Sequence, residues 1–211
     1  MAQFSVSELL SSRRSRVIAG AAVAVLLLLV GFGAGLLTRP GTPGDDSPEA
    51  GFARDMSTHH AQAVEMGMIA YQKATLPDVR TLGGDIAITQ QGQIGVMSTW
   101  LKDWGVDVNS TRPPMSWMPN GRNELVNNLM PGMATREEVA KLKAATGKDV
   151  DILFCQYMLR HHLGGIHMVE DLLSRNPQPD VRDLAETMKK NQTAEVSVLR
   201  TLLTQLGAQP L

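Results

Sequence analysis

An internal repeat constrains this chain more than any other feature of its sequence. The segment FARDMSTHHAQAVEM begins at Phe52, and the related segment FCQYMLRHHLGGIHM begins at Phe154, an offset of 102 residues. At the same offset and without a gap, PDVRTL at Pro77 matches PDVRDL at Pro179. A repeat this long exceeds the usual ~20–50 residue period of solenoid units. We therefore expect two half-domains with the same fold, residues 52–105 and 154–207.

Each half has the periodicity of a helical hairpin. In the first segment, apolar and histidine residues recur at spacings of three and four, as on one face of a helix. Prolines and glycines interrupt the pattern where helices should begin and end. We expect helices from Gly51 to about Ala74, from Pro77 to Gly105, from about Asp149 to Arg175 and from Asp180 to Gly207.

Residues 106–148 connect the two halves. They contain a capping box at Thr135–Glu138, which predicts a short helix that ends at Gly147. No stretch alternates apolar and polar residues with a period of two, so no sheet is expected. Two helical hairpins joined by one long connection predict an all-α four-helix bundle with a crossover, over residues 51–207.

The N-terminal region contains a long apolar run. Residues 17–37 are uncharged and mostly apolar, and a helix of this length can cross a hydrocarbon layer of ~30 Å. Arg13, Arg14 and Arg16 precede the run, which by the positive-inside rule places residues 1–16 in the cytoplasm and the remainder outside. Residues 38–50, rich in Pro, Gly and acidic residues, should form a linker. The sequence thus predicts a single-pass membrane anchor with an extracytoplasmic domain.

Two other export signals are compatible with the same region. A cleaved signal peptide usually has a shorter apolar region of about 7–15 residues, although Gly33-Ala34-Gly35 resembles a cleavage site. The pair Arg13-Arg14 is compatible with a twin-arginine signal for export of a folded protein. Either signal would still place the domain outside the cytoplasm.

Charge and cysteine content narrow the classes of function. The formal net charge is −1 and no Lys/Arg-rich stretch indicates a phosphate-binding surface, so nothing points to nucleic-acid binding. Cys155 is the only cysteine, so no internal disulfide can form. We expect its thiol to be a buried core group, with a soft-metal ligand as the alternative.

The histidines and methionines of the two repeated segments share one helix face. At ~100° per residue, His59 lies about 60° to one side of Met56 and His60 about 40° to the other side. Glu65 and His167 project from the opposite face. Buried imidazoles need a hydrogen-bond partner or a metal, and related hairpins would bring the two copies together in the core. The predicted metal ligands are His59, His60, His161, His162, Met56, Met66, Met158 and Met168.

Thioether and imidazole groups together form a soft to borderline ligand set. Such a set favours Cu(I) or Ag(I), and imidazoles alone would also accept Cu(II) or Zn(II). The Glu-x-x-His pairs of di-iron bundles are absent from the sequence, which argues against ferritin or oxidase chemistry. The pairs Met115/Met118 and Met130/Met133 also resemble Cu(I)-binding motifs, with closure of the bundle end as the alternative.

These motifs together resemble the DUF305 family of exported bacterial proteins. The resemblance is carried by MPGMATREEVAKL from Met130, MLRHHLGGIHM from Met158 and PDVRDLAETMKKNQTAEV from Pro179. It implies a ferritin-like four-helix fold and, from some members, copper binding and copper tolerance in the periplasm. The His and Met residues of both repeated segments match the positions of the family motif.

Three functions are compatible with this sequence. The first is a membrane-anchored extracytoplasmic protein that binds copper, preferably Cu(I), and sequesters it or hands it over without chemistry. The second is a structural or partner-binding helical domain whose histidines only hold the core together. The third is a metal-dependent redox enzyme, although no nucleophile pattern, phosphate loop or recognisable acid–base pair supports an enzyme. No protein partner is indicated.

Overall fold

The computed structural model describes the backbone of residues 13–37 and 41–211, and the side chains of residues 16–32 and 41–211. The chain divides after Gly41 into two compact units. The first unit contains α1 (Arg13–Leu37), whose large apolar side chains from Val17 to Phe32 are exposed. Residues 1–12, predicted to be cytoplasmic, and residues 38–40 of the predicted linker lie outside the described residues.

Residues 17–37, predicted to cross a membrane, lie within α1. Within the ranges that the structure describes, however, no helix is both long enough and apolar enough to cross a bilayer. The predicted helix is therefore present, and its assignment as a membrane span is not supported by the structure.

The second unit is built from two long helical hairpins. No β-strand occurs among the described residues, which confirms the predicted all-α class. Its elements are α2 (Pro48–Lys73) and α3 (Pro77–Asp103), a short 3₁₀ helix (Gly121–Glu124), α4 (Arg136–Ala144), and α5 (Lys148–Ser174) and α6 (Pro179–Gln205).

The first helix of the bundle begins earlier than predicted. Residues 48–50, assigned to the linker from sequence, form the first turn of α2. The Ser47 side chain accepts a hydrogen bond from the backbone N–H of Ala50 at 3.1 Å. Pro48 occupies a first-turn position, where its missing N–H has no partner to lose. The cap and the proline together favour this start.

The predicted capping box is present at the start of α4. The Thr135 hydroxyl accepts from the Glu138 backbone N–H at 3.1 Å, and the Glu138 carboxylate accepts from the Thr135 N–H at 2.8 Å. The helix ends at Ala144, before the predicted Gly147, which instead has a positive φ of 58° and precedes α5. Glycine adopts that conformation without strain.

The two hairpins differ in how closely their helices approach. A Cβ placed on Gly67 of α2 would lie 2.6 Å from the carbonyl oxygen of Gly83 on α3, and the reverse distance is 2.7 Å. Only glycine permits this contact. In the second hairpin the equivalent positions, 102 residues later, are Val169 and Ala185, so α5 and α6 have no such glycine pair.

The hairpins contact each other mainly through α2 and α5. At one end of this interface the Asp151 carboxylate of α5 accepts hydrogen bonds from the backbone N–H groups of Thr75, at 2.9 Å, and Leu76, at 3.2 Å. These N–H groups lie at the start of α3, so the second hairpin caps a helix of the first. No role for Asp151 was predicted.

The core consists of two apolar clusters, one toward each end of the bundle. The Cys155 cluster contains Cys155, Phe154, Met66 and Met158 with residues of all four long helices and α4. The Trp117 cluster contains Trp117, Phe52, Met56, Met168 and residues of the same four helices with the connecting segment. Along each long helix a few residues separate the two clusters, and the buried polar residues of the bundle lie mostly there.

Candidate metal-binding site

A layer of polar side chains crosses the middle of the bundle between the two apolar clusters. We call it the polar layer. It consists of four pairs related by the 102-residue offset: His59 and His161, His60 and His162, Gln90 and Gln192, and Gln93 and Glu195. Each long helix contributes two of these residues.

The two histidine motifs meet in this layer. The rings of His59 and His161 lie with their centroids 3.8 Å apart and their planes at 35°. The centroids of His161 and His162 are 6.3 Å apart. A metal bound at a ring nitrogen lies ~3 Å from the ring centroid, so two rings on one ion can have centroids up to about 6 Å apart. The His161–His162 separation is close to this limit, whereas the His59 and His161 rings would have to move apart to share one ion.

Hydrogen bonds fix the orientation of three of the four imidazoles. The Nε2 atoms lie 3.0 Å from the carbonyl oxygen of Pro131 for His59, 2.7 Å from Oε1 of Gln93 for His60, and 2.6 Å from Oε2 of Glu195 for His162. Carbonyl and carboxylate oxygens only accept, so each Nε2 donates its hydrogen. In the neutral ring, Nδ1 then carries the free lone pair that a metal requires.

No protein group among the described residues forms a hydrogen bond with the remaining nitrogens of these rings. Buried side-chain nitrogens and oxygens without a hydrogen bond are, among the described residues, confined to the polar layer. His161 has both ring nitrogens unpartnered, and burial lowers its pKa well below the usual value. The other unpartnered atoms are Nδ1 of His59, His60 and His162 and Oε1 of Gln90 and Gln192.

Burial also keeps the histidines of the first motif neutral. It lowers the pKa of His59 to about 4 and that of His60 to about 3. At neutral pH these imidazoles therefore present lone pairs rather than positive charge. A buried polar atom without a partner costs ~1–3 kcal/mol, so the layer is an unfavourable arrangement unless something occupies the lone pairs.

The methionines of the repeated segments flank this layer on both sides. Met56 and Met168 lie together in the Trp117 cluster, and Met66 and Met158 lie together in the Cys155 cluster. Each cluster thus holds one methionine from each copy, since α2 and α5 run antiparallel. All four are fully buried, as predicted for the shared helix face.

Other predicted groups lie away from the layer. His167 and Glu65 have exposed side chains, with 51% and 45% of their area accessible, as expected from their helix face. Cys155 is a buried core thiol whose pKa burial raises to about 12. Met115 and Met118 are buried in the Trp117 cluster.

The described side chains do not yet form a complete metal site. Among the described residues, no group of three or more His, Cys, Asp and Glu side chains is placed to hold a metal ion. The tilted His59 and His161 rings would therefore have to rotate or move apart, and a thioether or another imidazole would complete the coordination sphere. Cu(I) suits such a set, because it accepts thioethers and imidazoles.

The segment Met130–Met133 covers the layer on the side of His59. A Cβ on Gly164 of α5 would lie 2.0 Å from the Pro131 carbonyl oxygen, and one on Gly132 would lie 2.3 Å from the Arg160 carbonyl oxygen. The two glycines thus allow the segment to pack directly on α5. This close packing positions the Pro131 carbonyl that accepts from His59.

Sequence reasoning missed the glutamines and the glutamate of the layer. Gln90 and Gln192 are visible as a match in the repeat, but a glutamine on a helix carries no metal signal by itself. Gln93 and Glu195 each follow the second histidine of their copy by 33 residues, and they differ in type. Only that equal spacing in both copies could have indicated their pairing.

Comparisons with known proteins agree with this fold. The model of the family described as "Domain of unknown function (DUF305)" matches residues 49–203. No protein with a curated functional description matches the chain. A DUF305 protein of Streptomyces coelicolor considered to be secreted is 40% identical, with a TM-score of 0.73, over 80% of this chain and 99% of its own.

Two further solved structures share the fold at lower identity. A DUF305 fragment from Deinococcus radiodurans is 28% identical with a TM-score of 0.61, over 80% of this chain and 99% of its own. CopM in its Cu(I)-bound form is 22% identical with a TM-score of 0.59, over 74% of this chain and 96% of its own. CopM has also been solved in Cu(II)-bound, Ag-bound and apo forms. Because the family model covers most of the described bundle, the chain belongs to the DUF305 family.

Proposed function

We propose that this protein is an extracytoplasmic copper-binding protein that holds Cu(I) between its two histidine motifs. It would sequester the ion or transfer it to another molecule, without catalysing a reaction. His59, His60, His161 and His162 would be the principal ligands. Met56, Met66, Met158 and Met168 would support them from the two sides of the layer.

The observation that carries this proposal is the close contact between the buried imidazoles of His59 and His161. Two fully buried imidazoles in contact, one without any hydrogen bond, are costly in an apolar core. Orienting hydrogen bonds that leave Nδ1 free are the usual arrangement around metal-bound histidines. Cu(I) would use these lone pairs together with thioethers from the two flanking clusters.

The comparisons give further support of a more general kind. CopM, which has been solved in Cu(I)-bound, Cu(II)-bound and Ag-bound forms, shares the fold of the bundle. The Streptomyces coelicolor relative is considered to be secreted, in keeping with export of the bundle.

We propose that residues 17–37 direct this export and retain the protein in the membrane. Resistance of the full chain to alkaline extraction from membranes tests the anchor, and a mature N-terminus near Gly35 would contradict it.

Copper titration of the full chain tests the proposed function. We expect stoichiometric binding of Cu(I) under anaerobic conditions, measured by competition with a chromophoric Cu(I) chelator. Replacing all four layer histidines with Ala should abolish that binding. His167→Ala is the matched control, since it removes the remaining histidine from an exposed position. Absence of stoichiometric copper, or binding unaffected by the four replacements, would contradict the proposal.

A structural role for the layer is the second candidate function. It is favoured by the hydrogen bonds that His59, His60 and His162 make to Pro131, Gln93 and Glu195. In that case His59→Ala would lower the melting temperature, and neither Cu(I) nor Cu(II) would change the melting temperature of the unmodified protein.

A further inference from the structure

Glu195 breaks the symmetry of the polar layer. Three of the four pairs consist of the same residue in both copies, whereas Gln93 of the first copy corresponds to Glu195 of the second. The two side chains make equivalent contacts: Gln93 Oε1 lies 2.7 Å from Nε2 of His60, and Glu195 Oε2 lies 2.6 Å from Nε2 of His162. The copies therefore differ in charge and not in hydrogen-bond geometry.

Glu195 is the only acidic residue among the eight members of the layer. No Lys or Arg forms an ion pair with it among the described residues, and the imidazole of His162 is its partner there. The histidines and glutamines are buried, while 20% of the Glu195 side chain is accessible. The single negative charge thus lies at an edge of the layer that solvent reaches.

We propose that Glu195 supplies the counter-charge for one monovalent soft cation, Cu(I) or Ag(I), bound in the polar layer. The inference rests on the proposed function and adds that the site selects monovalent over divalent ions. One carboxylate and one monovalent ion leave the layer neutral. A divalent ion would leave one uncompensated positive charge between two apolar clusters, where the low dielectric makes such a charge unfavourable.

The same carboxylate acts on the ion through His162. A carboxylate that accepts from the far nitrogen of a metal-bound imidazole orients the ring and raises the basicity of the coordinating nitrogen. Glu195 is therefore a positioning residue rather than a ligand. Gln93 orients His60 in the same way but adds no charge, so the first copy can accept the ion without attracting a second one.

The experiment compares three variants of the full chain with the unmodified protein at fixed neutral pH. Glu195→Gln removes the charge, Gln93→Glu adds a second charge, and the double variant moves the single charge to the first copy. Ag(I) and Cu(I) are the monovalent probes and Cu(II) is the divalent probe. Affinities come from chelator competition, and stoichiometry comes from native mass spectrometry.

We expect one monovalent ion per unmodified chain. Glu195→Gln should weaken Cu(I) and Ag(I) binding by about 10–100-fold, the usual effect of removing such a partner. The double variant should return the affinity to within a few-fold of the unmodified protein. Gln93→Glu should raise the ratio of Cu(II) affinity to Cu(I) affinity at least about 10-fold. A merely structural side chain would not shift this ratio.

The outcomes separate this inference from the proposed function. If the unmodified protein binds no copper, the proposed function fails. If it binds copper and Glu195→Gln binds Cu(I) equally tightly, the counter-charge inference fails while the proposed function stands. Loss of binding that the double variant does not restore would also overturn the inference, because position rather than charge would then matter. If Glu195→Gln does not fold, the affinity ratio of Gln93→Glu decides alone.

Discussion

Replacement of His161 tests the polar layer most directly, because neither ring nitrogen of this buried side chain has a hydrogen-bond partner. Leu has a similar volume and no polar atom. At ~1–3 kcal/mol for each buried unpartnered atom, two nitrogens cost at least about 2 kcal/mol. Loss of the ring contact with His59, at 3.8 Å, costs about 0.5–1.5 kcal/mol. We therefore expect metal-free His161→Leu to be more stable than the unmodified protein by roughly 1 kcal/mol, or ~2–4 °C in Tm.

His60→Leu is the matched comparison. It also removes one unpartnered nitrogen, Nδ1, but it leaves Oε1 of Gln93 without the N–H that it now accepts from. These two effects have the same size and opposite sign, so the free energy of unfolding should change little. Without metal, His161→Leu should therefore have a higher free energy of unfolding than the unmodified protein and His60→Leu.

Copper should reverse this ranking. An ion present at about 100 times its Kd stabilises the unmodified protein by ~2.7 kcal/mol, equivalent to a Tm increase of roughly 5–11 °C. Both leucine variants should lose most of that increase. Thermal and urea unfolding of the full chain, with and without Cu(I) under reducing conditions, measure both effects. The reasoning is refuted if metal-free His161→Leu is destabilised by more than about 1 kcal/mol, since its nitrogens must then have partners.

Three other properties can be predicted from the structure. Gly164→Ala should destabilise the protein by about 1–3 kcal/mol in urea unfolding, because the new Cβ would lie 2.0 Å from the Pro131 carbonyl oxygen. Gly165→Ala is the control and should destabilise the protein less, because its Cβ would meet only the flexible end of the Gln192 side chain. Since burial holds the pKa of His59 at about 4, below the unfolded value of 6.5, the unfolded state binds more protons between these values. The free energy of unfolding of the metal-free protein should therefore fall as pH decreases from 6.5 toward 4, by up to about 1.4 kcal/mol per pH unit for this residue; a flat profile would contradict its buried neutral state. Cys155, with its pKa raised to about 12 by burial, should resist alkylation at pH 8 in the folded protein and react fully in denaturant, as mass spectrometry would detect.

The helical periodicity of buried residues and the positions of prolines and glycines were sufficient to predict the hairpins. The spacing of Met56, His59 and Met66 identified the buried face of α2, and the proline after each first helix located the turn of each hairpin. The start of α2 was missed because Pro48 is as common in linkers as in first turns of helices. These predictions depend on local sequence, which determines where a helix begins and which side is apolar.

The composition of the polar layer depends on contacts between distant segments, and this part could not be predicted. The partner of His59 is the Pro131 carbonyl, 72 residues away, and a backbone carbonyl leaves no trace in a residue pattern. The Pro131 carbonyl can approach α5 only because residue 164 is a glycine. In the sequence, Gly164 is merely a small residue two positions after the His161-His162 pair. Gln93 and Glu195 were overlooked because a repeat is recognised from identical residues at equivalent positions. This pair occupies equivalent positions but differs in residue type.

The position of the polar layer explains why an ion would affect the whole bundle rather than one hairpin. The hairpins contact each other mainly through α2 and α5, and His59 and His161 lie in that interface. Within the layer, each orienting side-chain hydrogen bond joins helices of the same hairpin: His60 to Gln93, and His162 to Glu195. An ion shared by His59 and His161 would instead join different hairpins. The free energy of ion binding would then add to the contact between the hairpins, so duplication supplies both the ligands and the interface that they stabilise.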